Sequence, residues 1–274
     1  MLLFWPGVVL VAALLNMLVS WVFSWQELVI GYVIGLVIGV CFYFGTTGWS
    51  TDGSTEAGAV QHVRDFFLVV STGLFGLLKW AGVEALKDPS TLFWWTALSV
   101  VVGTLVSAAL DRAAVAIGRT MSVGGGVLSG LIFFIKAPFA LFTTGLGIVI
   151  GLLGLAVGAI SSKKVGFGFL GGSLYFECGF SGTYATTFSS VINVWRGKMS
   201  DPVGSQYLLD HELYHTRQYI YMQDWLGVFY FTIAPIWGLI SSAASSRSFS
   251  SSYAFRASGE VGSPIEVAPY KIRW

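Results

Sequence analysis

Charged side chains are scarce in this chain: 11% of 274 residues, against 55% hydrophobic. An ordinary soluble domain carries about twice that charged share. The net charge is +1, and the basic residues form no stripe, which excludes a nucleic-acid surface. Cysteine is nearly absent. Cys41 and Cys178 lie far apart, and Cys41 sits in an apolar run. That spacing argues against a disulfide framework and for two packed thiols. No lysine or arginine precedes Arg64. A cleaved signal peptide needs a basic start and a short apolar core. The first apolar run is too long for that and reads as a retained transmembrane helix. Histidine occurs three times, and two of the three fall within five positions.

Long apolar runs fill most of the rest. Crossing a bilayer takes ~20 apolar residues. Residues 2–23 and 28–44 form two such runs, with Trp5, Trp25 and Trp49 at positions suited to the headgroup level. A shorter run covers 66–81, and another spans 92–110. Residues 1–126 therefore read as a transmembrane bundle of about four apolar helices. Residues 45–65 read as a polar loop, and His62 within it as a plain loop histidine. Gly31, Gly35 and Gly39 share one helix face. Such a face lets another helix approach closely. Packing inside the bundle is the favoured use, with a homo-oligomer or larger membrane complex as the alternative.

Residues 127–164 are apolar and glycine-rich, interrupted by Lys136 and Pro138. They are too long for one ordinary span, so a hairpin or a kinked helix is expected. Lys136 is expected at a turn or snorkelling to the interface. The texture then changes. Residues 165–195 mix glycine, aromatics and β-branched residues, which predicts two to four strands in a short antiparallel sheet. Pro202 at a first helical position, after Ser200 or Asp201 as N-cap, predicts a helix over 202–225.

That helix carries His211-Glu212-Leu213-Tyr214-His215. Histidines at i and i+4 share a helix face and can reach one zinc ion. The intervening glutamate then lies beside the open position, where it can take a proton from a zinc-bound water. Asp201, Gln206, Asp210, Arg217, Gln223 and Asp224 make the segment too polar for a lipid-facing helix. It is expected to pack on the strands, outside the hydrocarbon. Gln218 and Tyr221 stand where a metzincin needs glycine and histidine, which excludes that arrangement. The carboxylates downstream are Asp224, Glu260 and Glu266. Asp224 lies too far round the same helix to share a tetrahedral site easily. Glu266 is either a third ligand or the closing residue of a capping box begun by Ser263. Glu177 is an outside candidate. Tyr214, Arg217, Tyr219 and Tyr270 are candidate transition-state stabilisers.

The run from Asp210 to Tyr219, then Trp225-Leu226-Gly227, Pro235 and Ser263-Pro264-Ile265-Glu266, resembles a group of poorly characterised bacterial membrane metallopeptidases. These are zincin-like, of gluzincin type, with an HExxHxxQ helix. The resemblance covers residues 166–270. It implies His211, His215 and Glu266 as metal ligands and Glu212 as the base. The chain departs from the pattern at Val228-Phe229, where Pro-Leu is usual. It departs again at Ser263 for asparagine and at Ala268, where a second glutamate is common.

The expected fold is therefore a mainly α integral membrane protein. Its helix bundle is followed, over 165–274, by a small α+β zincin-like region with a serine-rich loop at 241–258. The expected function is a zinc metallopeptidase acting on a peptide or protein, in contact with membrane lipid and binding no nucleic acid. The alternative is a non-catalytic scaffold or assembly subunit with a structural or vestigial metal site. Lys163-Lys164 and Arg112/Arg119 favour a cytoplasmic metal region at a bacterial inner membrane. A channel is disfavoured, because few ionisable residues interrupt the spans.

Overall fold

The computed structural model describes residues 2–47, 56–116, 127–161, 165–177, 185–194 and 202–233. Three helices are long and apolar enough to cross a membrane: Trp25–Thr46, Pro89–Leu110 and Leu141–Ile160. The N-terminal helix, Phe4–Ser20, is apolar but shorter.

Helix α1 (Phe4–Ser20) stops where Trp21 turns left-handed, at φ 54°. The amide of Val22 closes that end by donating to the Met17 carbonyl. Ser24 then caps α2 (Trp25–Thr46), accepting from the Glu27 amide. The glycine face of α2 lies against α1. A Cβ on Gly35 would come within 2.6 Å of Pro6 Cα, and one on Gly31 within 3.3 Å of Val9. The close approach thus occurs within the chain. This is the use favoured for Gly31, Gly35 and Gly39, packing inside the bundle.

The expected polar loop at 45–65 is also shorter than read. Helix α3 (Glu56–Thr72) begins inside it, where Gln61 pairs with Arg64 and Asp65 one turn apart. Gly73, at φ 56°, breaks the helix before α4 (Leu74–Trp80). Asp88 accepts from the Thr91 amide and starts α5 (Pro89–Ala116). Trp5, Phe42 and Phe93 meet edge-on and tie α1, α2 and α5 into one core.

The apolar stretch after residue 126 divides. Helix α6 (Val127–Lys136) ends in a 3-10 turn at Ala137–Phe139, and α7 (Leu141–Ile160) follows. Lys136 does not snorkel. It is 1% exposed, and its Nζ lies 3.4 Å from the Gly171 carbonyl and 3.4 Å from Thr216 Oγ1.

Four strands follow: β1 (Gly166–Leu170), β2 (Ser173–Glu177), β3 (Ala185–Phe188) and β4 (Val191–Val194). The sheet order is β1-β2-β4-β3. Both outer pairs are antiparallel, but β2 and β4 run parallel. The expected antiparallel sheet is therefore mixed. The chain passes from β2 to the far edge, and the β3–β4 hairpin returns its second strand beside β2. Alternation along the strands gives two faces. Phe176 and Val191 pack with Phe133 of α6, and the glycines of α7 lie close against Phe176 and Phe188. Ile192 and Val194 pack with Leu213. Leu213 belongs to α8 (Pro202–Met222), which starts at Pro202 as expected. Gln223, at φ 55°, breaks the chain before the short α9 (Asp224–Val228), and a π turn spans Phe229–Ile233.

Candidate functional site

Helix α8 is enclosed. Every residue from Asp210 to Asp224 is buried. The sheet covers one side, and α1, α2 and α5 cover others. The expected packing on the strands is thus part of its surroundings. The rest include the N-terminal bundle, with two of the candidate spans, and α6. The polarity that excludes a lipid-facing helix is met inside the protein, where buried polar groups need partners.

Those partners are specific. Arg217, 1% exposed, donates from Nε to Asn16 Oδ1 at 2.9 Å and from Nη2 to Ser20 Oγ at 3.2 Å. Its guanidinium also lies 5.2 Å from the Tyr214 ring centre. Tyr214 donates to Glu27 Oε2 at 3.0 Å, and Tyr221 donates to Glu27 Oε1. Burial, and then the neighbouring Glu27 carboxylate, push both phenols well above their ordinary value, so both stay protonated donors. Tyr214 and Arg217, expected near the reacting centre, thus bind α2 and α1.

His211, Glu212 and His215 occupy the adjoining faces. The two Nε2 atoms converge at 3.2 Å, with the rings edge-on. Two imidazole nitrogens on one tetrahedral zinc, each bonded at ~2.0–2.1 Å, stand roughly 3.3–3.4 Å apart. The pair therefore fits a shared zinc ion. The same separation also suits a hydrogen bond between the rings when no cation is bound. His215 Nδ1 lies 2.7 Å from Gln218 Oε1 and 3.1 Å from the Tyr230 hydroxyl. With a proton on Nδ1, that nitrogen would donate to the amide oxygen and leave Nε2 its lone pair, the tautomer a metal needs. Glu212, 5% exposed, accepts at Oε2 from Thr187 Oγ1. Thr187 belongs to β3, which lies at one end of the sheet order.

Among the described residues, no third His, Cys, Asp or Glu completes a metal-holding cluster. Glu177 ends β2 and does not join the pair. Asp224 is committed elsewhere: its carboxylate accepts from the Thr143 amide at 2.7 Å and from the Phe142 amide at 3.3 Å, capping α7. Glu266, Glu260, Tyr270, Cys178, Lys163-Lys164 and the serine-rich segment 241–258 lie outside the described residues. Tyr219 is buried, and burial raises its phenol far above the ordinary value.

Sequence reasoning missed three contributors: Glu27, Thr187 and Tyr230. Glu27 had a signal. It is an ionisable residue at the head of an apolar run, a position that points to function. Thr187 and Tyr230 had none, because their roles depend on tertiary placement. Compared with protein-family models, curated proteins and solved structures, the chain matches none of them.

Proposed function

We propose that this membrane protein is a zinc-dependent peptidase, zincin-like in the arrangement of its metal helix and edge strand. The observation that carries the reading is the convergence of His211 and His215 Nε2 at 3.2 Å, with Glu212 one residue along and held from β3. His211 and His215 would hold the metal. Glu266 is the proposed third ligand, on the strength of the resemblance set out above. When bound, zinc supplies a Lewis acid that lowers the pKa of a coordinated water and polarises a substrate carbonyl.

The remaining steps belong to the chain's own groups. Thr187 holds Glu212 Oε2, which leaves Oε1 to receive a proton from the attacking water. Glu212 then delivers that proton to the departing amine. Gln218 keeps His215 in the tautomer that ligates. The apolar helices support a membrane setting for the site, and the basic residues flanking them favour the cytoplasmic side of a bacterial inner membrane.

A second reading is a scaffold with a structural metal site. The enclosure of α8 supports it, with His215 4% exposed and His211 9% exposed. One experiment separates the two readings. The full chain is purified in detergent, and its zinc content and hydrolysis of a peptide library are measured beside Glu212→Gln. The peptidase reading expects equal zinc in both and turnover only with Glu212. Equal turnover in the variant refutes it. Zinc in both with turnover in neither supports the scaffold.

A further inference from the structure

We propose that the histidine pair lies within the thickness of the membrane, and that the chain it cuts is itself a membrane-spanning segment, cleaved near one end of its span. The inference rests on the peptidase reading above and names the substrate class of that site.

The candidate spans fix the depth. Helix α2 rises about 32 Å from Trp25 to Thr46 at ~1.5 Å per residue, which matches ~30 Å of hydrocarbon. Trp21, Phe23 and Trp25 are exposed at one end of α1 and α2. Trp94 and Trp95 are exposed at the start of α5, whose Phe93 meets Trp5 and Phe42 at the other end. Aromatic side chains so spaced mark the two headgroup levels. Glu27 is the only charged residue in the three spans. It is 0% exposed, and its carboxylate accepts from the hydroxyls of Tyr214 and Tyr221. Asn16, near the same end of α1, accepts from the guanidinium of Arg217. His215 lies between Tyr214 and Arg217 in α8. A Cβ on Gly31 would lie 3.8 Å from Met222 Cε. Glu27 and Gly31 follow Trp25 by two and six residues, so α8 meets α2 roughly 3–9 Å inside the Trp25 level.

The plainer account puts α8 and the sheet in water, beyond the end of an anchor. Such a unit would touch the spans at their tips. Instead, a Cβ on Gly103, well inside α5, would lie 3.5 Å from Ile220 of α8. On α7, Gly147, Gly151 and Gly158 lie against Phe188, Phe176 and Val165, so the sheet that carries Thr187 runs along that span. Elsewhere α7 exposes Val149, Leu152, Leu153, Val157 and Ile160. In water this stripe would be an apolar patch of the kind that soluble surfaces avoid, whereas lipid covers it. A site at this depth is closed to a peptide dissolved in water. A spanning segment already holds its backbone there, and the Trp25 level is within reach of interfacial water. That water completes the hydrolysis. Its oxygen joins the carbonyl carbon, the C–N bond breaks, and the proton taken by Glu212 passes to the departing nitrogen.

The test has two arms, both with the full chain in vesicles of phosphatidylethanolamine and phosphatidylglycerol. In the first, Cys41 and Cys178 are replaced by alanine, and a nitroxide is attached through Leu18→Cys, Val29→Cys or Leu153→Cys. All three positions are exposed. Leu18 and Val29 bracket the level at which α1 and α2 meet α8. Oxygen, which concentrates in hydrocarbon, is expected to relax all three labels more strongly than a water-soluble nickel chelate does. The reverse at Leu18 and Val29 puts α8 in water and overturns the proposal. In the second arm, zinc-loaded wild type and Glu212→Gln receive single-span leucine–alanine peptides randomised near both ends, and separately a water-soluble peptide library. Mass spectrometry is expected to find cuts inside the span, near one end, that are lost in Glu212→Gln. Cleavage of the soluble library with every spanning peptide intact overturns the proposal and leaves the peptidase reading standing. Cleavage of neither by the wild type removes the peptidase reading, and this inference with it.

Discussion

Replacing Gly35 with alanine tests whether α1 sits on the glycine face of α2. An added Cβ would lie 2.6 Å from Pro6 Cα, 3.0 Å from Pro6 N and 3.2 Å from the Trp5 carbonyl oxygen. All three are backbone or ring atoms, so no side chain can swing aside. To restore ordinary contact, α1 would have to back away by roughly 0.8 Å. That movement would disturb Trp5, which is fully buried against Phe42 and Phe93. Overpacking of this kind costs about 1–3 kcal/mol. Alanine recovers about 1 kcal/mol of helix propensity. The net expectation for Gly35→Ala is a loss of about 1 kcal/mol. Gly7 and Gly145 provide the reference, because an added Cβ there meets nothing within 4 Å. Alanine at either should gain about 1 kcal/mol. Gly31→Ala should fall between, since its nearest contact is the movable end of Val9 at 3.3 Å. Thermal unfolding in detergent, followed by tryptophan fluorescence, ranks the four variants. The predicted order is Gly7 and Gly145 highest, then Gly31, then Gly35. If Gly35→Ala melts with Gly7→Ala, the packing argument is wrong. If it keeps its melting point but dissociates an oligomer, the glycine face points outward and the oligomer reading returns.

Two further outcomes follow from the buried polar groups. Asn16→Leu removes the 2.9 Å acceptor of a buried guanidinium. Leaving a buried charge short of a partner costs about 3 kcal/mol, so this variant should melt well below Ser20→Ala, which removes a longer bond. Asp224 gives a pH signature. Burial raises its carboxyl above the ordinary 3.8, against the opposing pull of the Thr143 and Phe142 amides. The folded chain therefore holds that proton more tightly than the unfolded one. Its contribution to stability is greatest at low pH and declines as pH rises above 3.8. Asp224→Asn should flatten that slope in a series of melts across pH. An unchanged slope would show that Asp224 is not its source.

The parts of the fold legible in the sequence were those set by local pattern. Pro202 marked the start of α8, and the glycine- and aromatic-rich stretch marked the strands. The i, i+4 spacing of His211 and His215 foretold their convergence, because helix geometry alone places them on one face. What the sequence hid depends on who packs against whom. Lys136 read as a turn or snorkelling residue; it does end α6 at the turn, but its burial was hidden because its partners, Gly171 and Thr216, lie 35 and 80 positions away. The parallel β2–β4 pair was hidden because hairpin signals describe only neighbouring strands. Tyr214 and Arg217 looked like groups for chemistry because they flank the motif. Their hydrogen bonds instead cross to α1 and α2, a choice made by tertiary packing.

The hydrogen bonds from α8 to the first two helices have a consequence for biogenesis. Asn16 and Arg217 are 201 positions apart, and Glu27 and Tyr221 are 194 apart. During synthesis α1 and α2 leave the ribosome long before α8 exists. Asn16 and Glu27 must therefore wait in a largely apolar setting, their polar groups unmatched by those of α8. Polar groups held in hydrocarbon seek alternative partners, including water defects and other helices. Helix α8, when it emerges, has to displace them. Closure of the bundle around α8, and with it the burial of the histidine pair, is thus a late event. A nascent chain halted before residue 202 would carry membrane helices with two exposed polar handles, the kind of feature by which quality control distinguishes unfinished proteins from finished ones.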